Sequence, residues 1–146
     1  MKGMTIVVKK IAQIIIPVIF LFGLYVVIHG HLSPGGGFAG GVVMAGAFIL
    51  QILAYGDILP HLRKEEAGLE FMESAAILGF LVLAGLGLLL SGTVVFFSNF
   101  INKGVVGKLI SAGFIPIENI VVGAEVCAAM ATIFIALTVF SEEVSK

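Results

Sequence analysis

Tryptophan is absent and cysteine occurs once, at Cys127, in a chain of 146 residues. A single thiol excludes an internal disulfide and any multi-cysteine metal or iron–sulfur site. Charge is scarce too: Asp, Glu, Lys and Arg make up 12% of the residues, against roughly 25% in an ordinary soluble domain. Eight basic and nine acidic residues leave a net charge of −1, so no basic field exists for nucleic acid, and no nucleic-acid motif appears. Nucleophile–base pairs and cofactor motifs are missing as well, which argues against an independent enzyme and implies no cofactor. What is abundant is apolar. Hydrophobic residues make up 60% of the chain, 19 residues are glycine, and mean hydropathy is +1.19. An integral membrane protein is expected, all-α, in the cell membrane with several passes.

Four apolar runs predict four transmembrane helices, at about 11–29, 36–55, 74–97 and 117–140, within a single domain covering 1–146. Each is close to the roughly 20 residues that cross a bilayer as a helix. Lys2, Lys9 and Lys10 precede the first run, but it is longer than a secretory signal core and no small-x-small cleavage site follows it. Pro17 interrupts its hydrogen-bond ladder. Between the second and third runs, Gly56–Glu73 mixes Asp57, His61, Arg63, Lys64, Glu65, Glu66, Glu70 and Glu73 with leucines. It reads as a solvated loop with an interfacial turn. Ser98–Ile115 reads as a short loop at the membrane surface, Pro116 as a helix start, and Ser141–Lys146 as a short charged tail.

Basic residues set the orientation. Lys2, Lys9, Lys10, Arg63, Lys64 and Lys146 fall on one side, and only Lys103 and Lys108 on the other. Six against two predicts that both termini are cytoplasmic.

The candidate chemistry lies in the fourth run. Glu118, Glu125 and Thr132 are spaced i, i+7 and i+14 and so share nearly one helical stripe. A carboxylate inside the bilayer costs at least about 2.5–3.5 kcal/mol if it faces lipid, so Glu125 is expected to face protein or water. It is a candidate proton or cation relay, or else a carboxyl hydrogen-bonded to a neighbouring helix or subunit. Glu118, nearer the boundary, is a candidate for the same pathway or a plain helix-start acid. His29 and His31 flank Gly30 at a membrane boundary, and imidazole is the side chain suited to gain and lose a proton near neutral pH. They are a candidate proton gate or a structural contact, and without a third ligand nearby no metal site is expected. Cys127, among alanines, reads as a small core residue.

Between the first two runs lies His29-Gly30-His31-Leu32-Ser33-Pro34-Gly35-Gly36-Gly37-Phe38-Ala39-Gly40-Gly41. Pro34 ends the preceding helix. Gly36/Gly40 and Gly37/Gly41, four apart, give the next helix a face without side chains. A phosphate cradle does not fit, because the Gly-Lys-Ser/Thr of a P-loop and its preceding strand are missing. The stretch from Gly30 to Gly41, with Pro34, Gly35, Gly36, Gly37, Phe38, Gly40 and Gly41 in place, resembles the signature of the MnhB/MrpB family. Those proteins are small membrane subunits of multi-subunit Mrp-type Na+/H+ antiporters. Relatives occur in the antiporter-like modules of membrane-bound hydrogenases and sulfane reductases.

The resemblance reaches the last helix more weakly. An acid before a hydrophobic-Gly-Val stretch is usual there, and either Glu118 or Asn119 could fill that place. It implies a subunit that acts among other membrane subunits, with Na+ and H+ as the transported ions. The short connection between the third and fourth helices tilts the expected host toward a hydrogenase-type or sulfane-reductase-type respiratory complex. The alternative is a purely structural assembly subunit, its glycine faces gluing neighbouring subunits together, with no ion-pathway residue.

Overall fold

Residues 4–56, 59–92, 95–109 and 111–144 are described in the computed structural model, the side chains of 59–66 and 141–144 excepted. Lys2, Asp57 and Lys146, which entered the orientation and boundary readings, lie outside the described residues. Four helices follow one another: α1 (Ile6–Ile28), α2 (Gly36–Tyr55), α3 (Leu59–Leu90) and α4 (Ile115–Val144). Each holds a stretch long and apolar enough to cross a membrane: Ile6–Ile28, Gly36–Tyr55, Ala67–Leu90 and Ile115–Phe140.

Helix number and order agree with the hydropathy pattern, and four boundaries are corrected. α1 starts at Ile6 rather than near residue 11, taking Lys9 and Lys10 into the helix. Their aliphatic stems can lie along the helix while the ammonium reaches the boundary; Lys9 Nζ lies 5.8 Å above the Tyr55 ring. α3 starts at Leu59, so most of the stretch read as a solvated loop is helical. The Arg, Lys, Glu, Ala and Leu residues there are strong helix formers, and Pro60 stands in the first turn, where it is tolerated. α3 also ends at Leu90 rather than Phe97: Gly92 turns into the left-handed region at φ +68°, and Phe97 follows at φ +60°. α4 continues through the expected tail as far as Val144.

Helix packing follows the order α1–α2–α4–α3. α2 lies between α1 and α4, and α3 packs along α4. α1 and α2 run antiparallel, joined at one end by Met4 N–H donating to the Ala54 carbonyl at 3.1 Å. Val27, Met44, Ala45 and Cys127 form the core where α1, α2 and α4 meet, with Phe20 against them. Cys127 is buried there as a small packing residue. Outward faces are apolar and exposed, Ile14, Leu21 and Phe22 on α1 and Phe71, Leu78 and Leu81 on α3 among them, as a surface in contact with lipid requires.

Candidate functional site

The C-terminal end of α1, the N-terminal end of α2 and the first turn of α4 converge on the glycine-rich turn. Gly35 and Gly36 take φ values of +135° and +64°, open to glycine and strained for other residues. α2 then begins directly beneath Asn119. The Gly37 N–H donates to Asn119 Oδ1 at 3.3 Å, so the amide caps a helix start that lacks a side-chain cap of its own. A methyl group on Gly37 would collide with the backbone carbonyl of Asn119, and one on Gly30 would meet Asn119 Nδ2 at 2.9 Å.

Further along the same seam, a Cβ on Gly40 would meet Val27 Cγ2 at 2.5 Å, and one on Gly41 the Gly123 carbonyl at 2.7 Å. One on Gly23 would meet Met44 Cγ at 2.6 Å, and one on Gly123 Val27 Cγ2 at 2.8 Å. The glycine face is therefore consumed within the chain, between α1, α2 and α4. This corrects the expectation that it glues neighbouring subunits. Of the rest of the motif, Pro34 and Phe38 are exposed, Phe38 at 65%.

The two α4 carboxylates face the other way, toward α3. Glu118 lines a cleft of about 660 Å³ with Phe80, Phe97, Phe114, Ile115, Asn99 and Lys103. Its Oε1 is buried and has no hydrogen-bond partner among the described residues. Glu125 lines a smaller cavity of about 160 Å³ with Ala76, Ile77, Phe80, Val121 and Val122. Phe80 belongs to both linings, so its ring borders the two clefts. Glu125 is ten residues beyond Ile115, roughly 15 Å along the helix axis and near the middle of its span. The i, i+7 relation thus places both acids, each partly buried, along one α3–α4 groove. Thr132, the third member of the stripe, instead donates its hydroxyl to the Ala128 carbonyl at 2.9 Å.

The histidines differ from each other. His29 stacks on Tyr25 with ring centroids 4.1 Å apart and donates from Nδ1 to the Tyr25 carbonyl at 3.0 Å. Its ring tidies the end of α1. Both ring nitrogens of His31 are buried without a partner among the described residues. No group of three or more His, Cys, Asp or Glu side chains able to hold a metal occurs among the described residues.

Three contributors were not singled out from sequence. Asn119 entered only as a possible place for the usual acid, and its contact with Gly37 spans 82 residues. Phe80 was one phenylalanine in an apolar run; Asn99 was one polar loop residue among several. Asn99 holds the α3–α4 connection through Nδ2 donating to the Ile101 carbonyl at 2.6 Å and Oδ1 accepting from Phe114 N–H at 3.2 Å. An Asn a few residues before a glycine-rich turn was the available signal.

A family model described as a domain related to the MnhB subunit of Na+/H+ antiporter matches residues 7–132. An uncharacterized protein of Methanocaldococcus jannaschii is 37% identical over 131 residues, which are 85% of this chain and 50% of that protein. A Staphylococcus epidermidis protein named "Putative antiporter subunit mnhB2" is 44% identical over 55 residues, 38% of this chain and 39% of its own length. The same-named protein of Staphylococcus aureus is 31% identical over 117 residues, 80% of this chain and 74% of its own. The chain thus spans about half or less of the length of the first two of these relatives.

Proposed function

The chain belongs to the MnhB family, and from that premise we propose that it is a multi-pass membrane subunit of a multi-subunit Na+/H+ antiporter. In this reading it is a transporter subunit and not an independent enzyme. It contributes to monovalent cation and proton translocation through the α3–α4 groove. The observation that carries the translocation role is the placement of Glu118 and Glu125 on two cavities that share Phe80 as a wall. A carboxylate near the middle of a span is costly unless it faces protein or water, and this groove supplies that environment.

The path is partial by construction. One deep carboxylate and one boundary carboxylate do not make a complete relay, so neighbouring subunits supply the remaining groups. Both termini lie in the cytoplasm under the lysine and arginine distribution. The glycine-rich turn and the mouth of the Glu118 cleft then open on the opposite side, since both sit at the α4 N-terminal end. The host is a free antiporter or a respiratory complex of the hydrogenase or sulfane-reductase kind. Identifying the proteins that copurify in mild detergent distinguishes them.

Replacing Glu125 by Gln tests the role. The amide preserves size and removes the ionisable group. Expected is a complex that assembles in normal amount with Na+-dependent transport largely lost. Unchanged transport would remove Glu125 from the mechanism, and loss of assembly would identify it as a contact between helices or subunits.

The assembly-only reading keeps one observation in its favour. Gly46 on α2 and Gly85 on α3 have nothing within 4 Å of a built Cβ, leaving small-residue sites outside the internal seam.

A further inference from the structure

The connection between α3 and α4 is folded, and its exposed surface mixes large apolar side chains with two lysines. An isolated antiparallel bridge pairs Gly104 with Ser111, and Ala112 N–H donates to the Lys103 carbonyl at 3.0 Å. At the turn, Lys108 N–H donates to the Val105 carbonyl at 3.2 Å, and Gly107 takes φ +87°. Asn99 fixes the base by its hydrogen bonds to Ile101 and Phe114, and Phe100 stacks on Phe114 with centroids 5.5 Å apart. A hairpin held this way presents a defined tip.

That tip carries Val106 at 96% exposure, Val105 at 62% and Leu109 at 47%, with Phe96 exposed at the base. Residues 95–114 contain two lysines, Lys103 and Lys108, and no acid. Lys103 lines the Glu118 cleft, while Lys108 lies beside the apolar tip. The hairpin leaves from the end of one membrane span and returns to the start of another, so it lies at the level of the lipid headgroups. Valines and a leucine beside a lysine, without acids, suit an anionic leaflet: apolar side chains enter the acyl boundary and the ammonium meets phosphate.

We propose that the Gly104–Ser111 hairpin is a membrane-surface anchor, with Val105, Val106 and Leu109 inserted among acyl chains and Lys108 paired with anionic headgroups. This goes beyond the transport reading and does not depend on which complex hosts the chain. It also sets lipid close to the Glu118 cleft, because Lys103 and Ala112, the bonded pair that flanks the hairpin, line that cleft.

The test attaches an environment-sensitive fluorophore at Val106→Cys in the full chain, isolated with whatever assembles on it. Cys127 is buried, and the same preparation without Val106→Cys supplies the background. Reconstitution uses phosphatidylcholine vesicles with or without phosphatidylglycerol, carrying nitroxide lipids labelled near the headgroup. Expected is loss of most of the emission to the lipid quencher, stronger with phosphatidylglycerol, and loss of that difference in K108Q. Leu109→Cys should repeat the pattern, which guards against a local fault in one variant. Quenching by aqueous iodide alone would show a solvated tip, and quenching by neither would show a protein covering it. Either overturns the proposal. Equal lipid quenching in both vesicle types would overturn the recognition of anionic lipid.

Discussion

Asn119 and Gly37 are joined across 82 residues of sequence by a hydrogen bond of 3.3 Å, from the glycine N–H to the asparagine Oδ1. This bond ties the start of α2 to the start of α4, and the close approach that comes with it, where a Cβ on residue 37 would collide with the Asn119 backbone carbonyl, explains why a glycine occupies position 37. A helix start leaves several N–H groups without partners, and here a distant side chain satisfies one inside a membrane protein, where water is scarce. The same asparagine follows Glu118, whose carboxylate faces α3. The first turn of α4 thus fastens the glycine-rich turn with one residue and lines the cleft with its neighbour.

Removing the amide should therefore loosen the bundle. Asn119→Ala leaves the Gly37 N–H without that acceptor and is expected to cost about 1 kcal/mol, the range for hydrogen bonds between helices in a bilayer. The check is the denaturation midpoint of the detergent-solubilised chain. An unchanged midpoint would mean that water replaces the amide at no cost.

Glycine-to-alanine changes separate the internal seam from open positions. Gly40→Ala drives a methyl into Val27 and the Gly23 carbonyl, at 2.5 and 2.8 Å, and should destabilise by about 1–3 kcal/mol, as overpacking does. Gly46→Ala and Gly85→Ala meet nothing within 4 Å and should stabilise the isolated chain, each by up to about 1 kcal/mol from helix propensity. Equal effects at all three positions would contradict the packing order α1–α2–α4–α3. Reduced assembly of the complex by Gly46→Ala or Gly85→Ala, with a stabilised isolated chain, would locate a neighbouring subunit at that glycine.

Much of the architecture was legible in local pattern. The four spans show as apolar runs, the first helix ends before Pro34 as backbone restriction requires, and i, i+7 spacing puts Glu118 and Glu125 on one stripe. Two kinds of information were not legible. The stretch after Gly56 reads as loop because charged residues suggest solvent, yet Arg63, Lys64, Glu65 and Glu66 are equally good helix formers, and a helix can leave the bilayer without ending. Partners distant in sequence were hidden as well. Nothing near Gly37 announces Asn119, and nothing near Gly40 shows whether its bare face meets α1 or a second protein. Only the packing of three helices decides that.

The two histidines should respond oppositely to truncation. His29 gives up a ring stack and an exposed hydrogen bond to Tyr25, so His29→Ala is expected to lower stability by about 0.5–1 kcal/mol. His31 buries two ring nitrogens without partners among the described residues, and an apolar replacement removes that desolvation. His31→Leu should leave stability unchanged or raise it in the same denaturation measurement. A destabilised His31→Leu would reveal a hydrogen bond supplied by water or a neighbouring subunit.

Phe80 provides the sharpest test of the groove, because one ring borders both cavities. If ions or protons pass between Glu118 and Glu125, the size of residue 80 should govern the rate without altering either acid. Phe80→Leu opens the partition and should keep transport near the original level or raise it. Phe80→Trp fills it further and should slow transport several-fold, while both variants assemble normally. Rates are compared as Na+-dependent proton movement in vesicles at matched amounts of complex. Phe80 also packs against Phe97 at 5.2 Å, so assembly has to be measured alongside transport. Transport indifferent to the size of residue 80, in complexes that assemble fully, would mean that the two chambers are not in series and that Glu118 lies off the path.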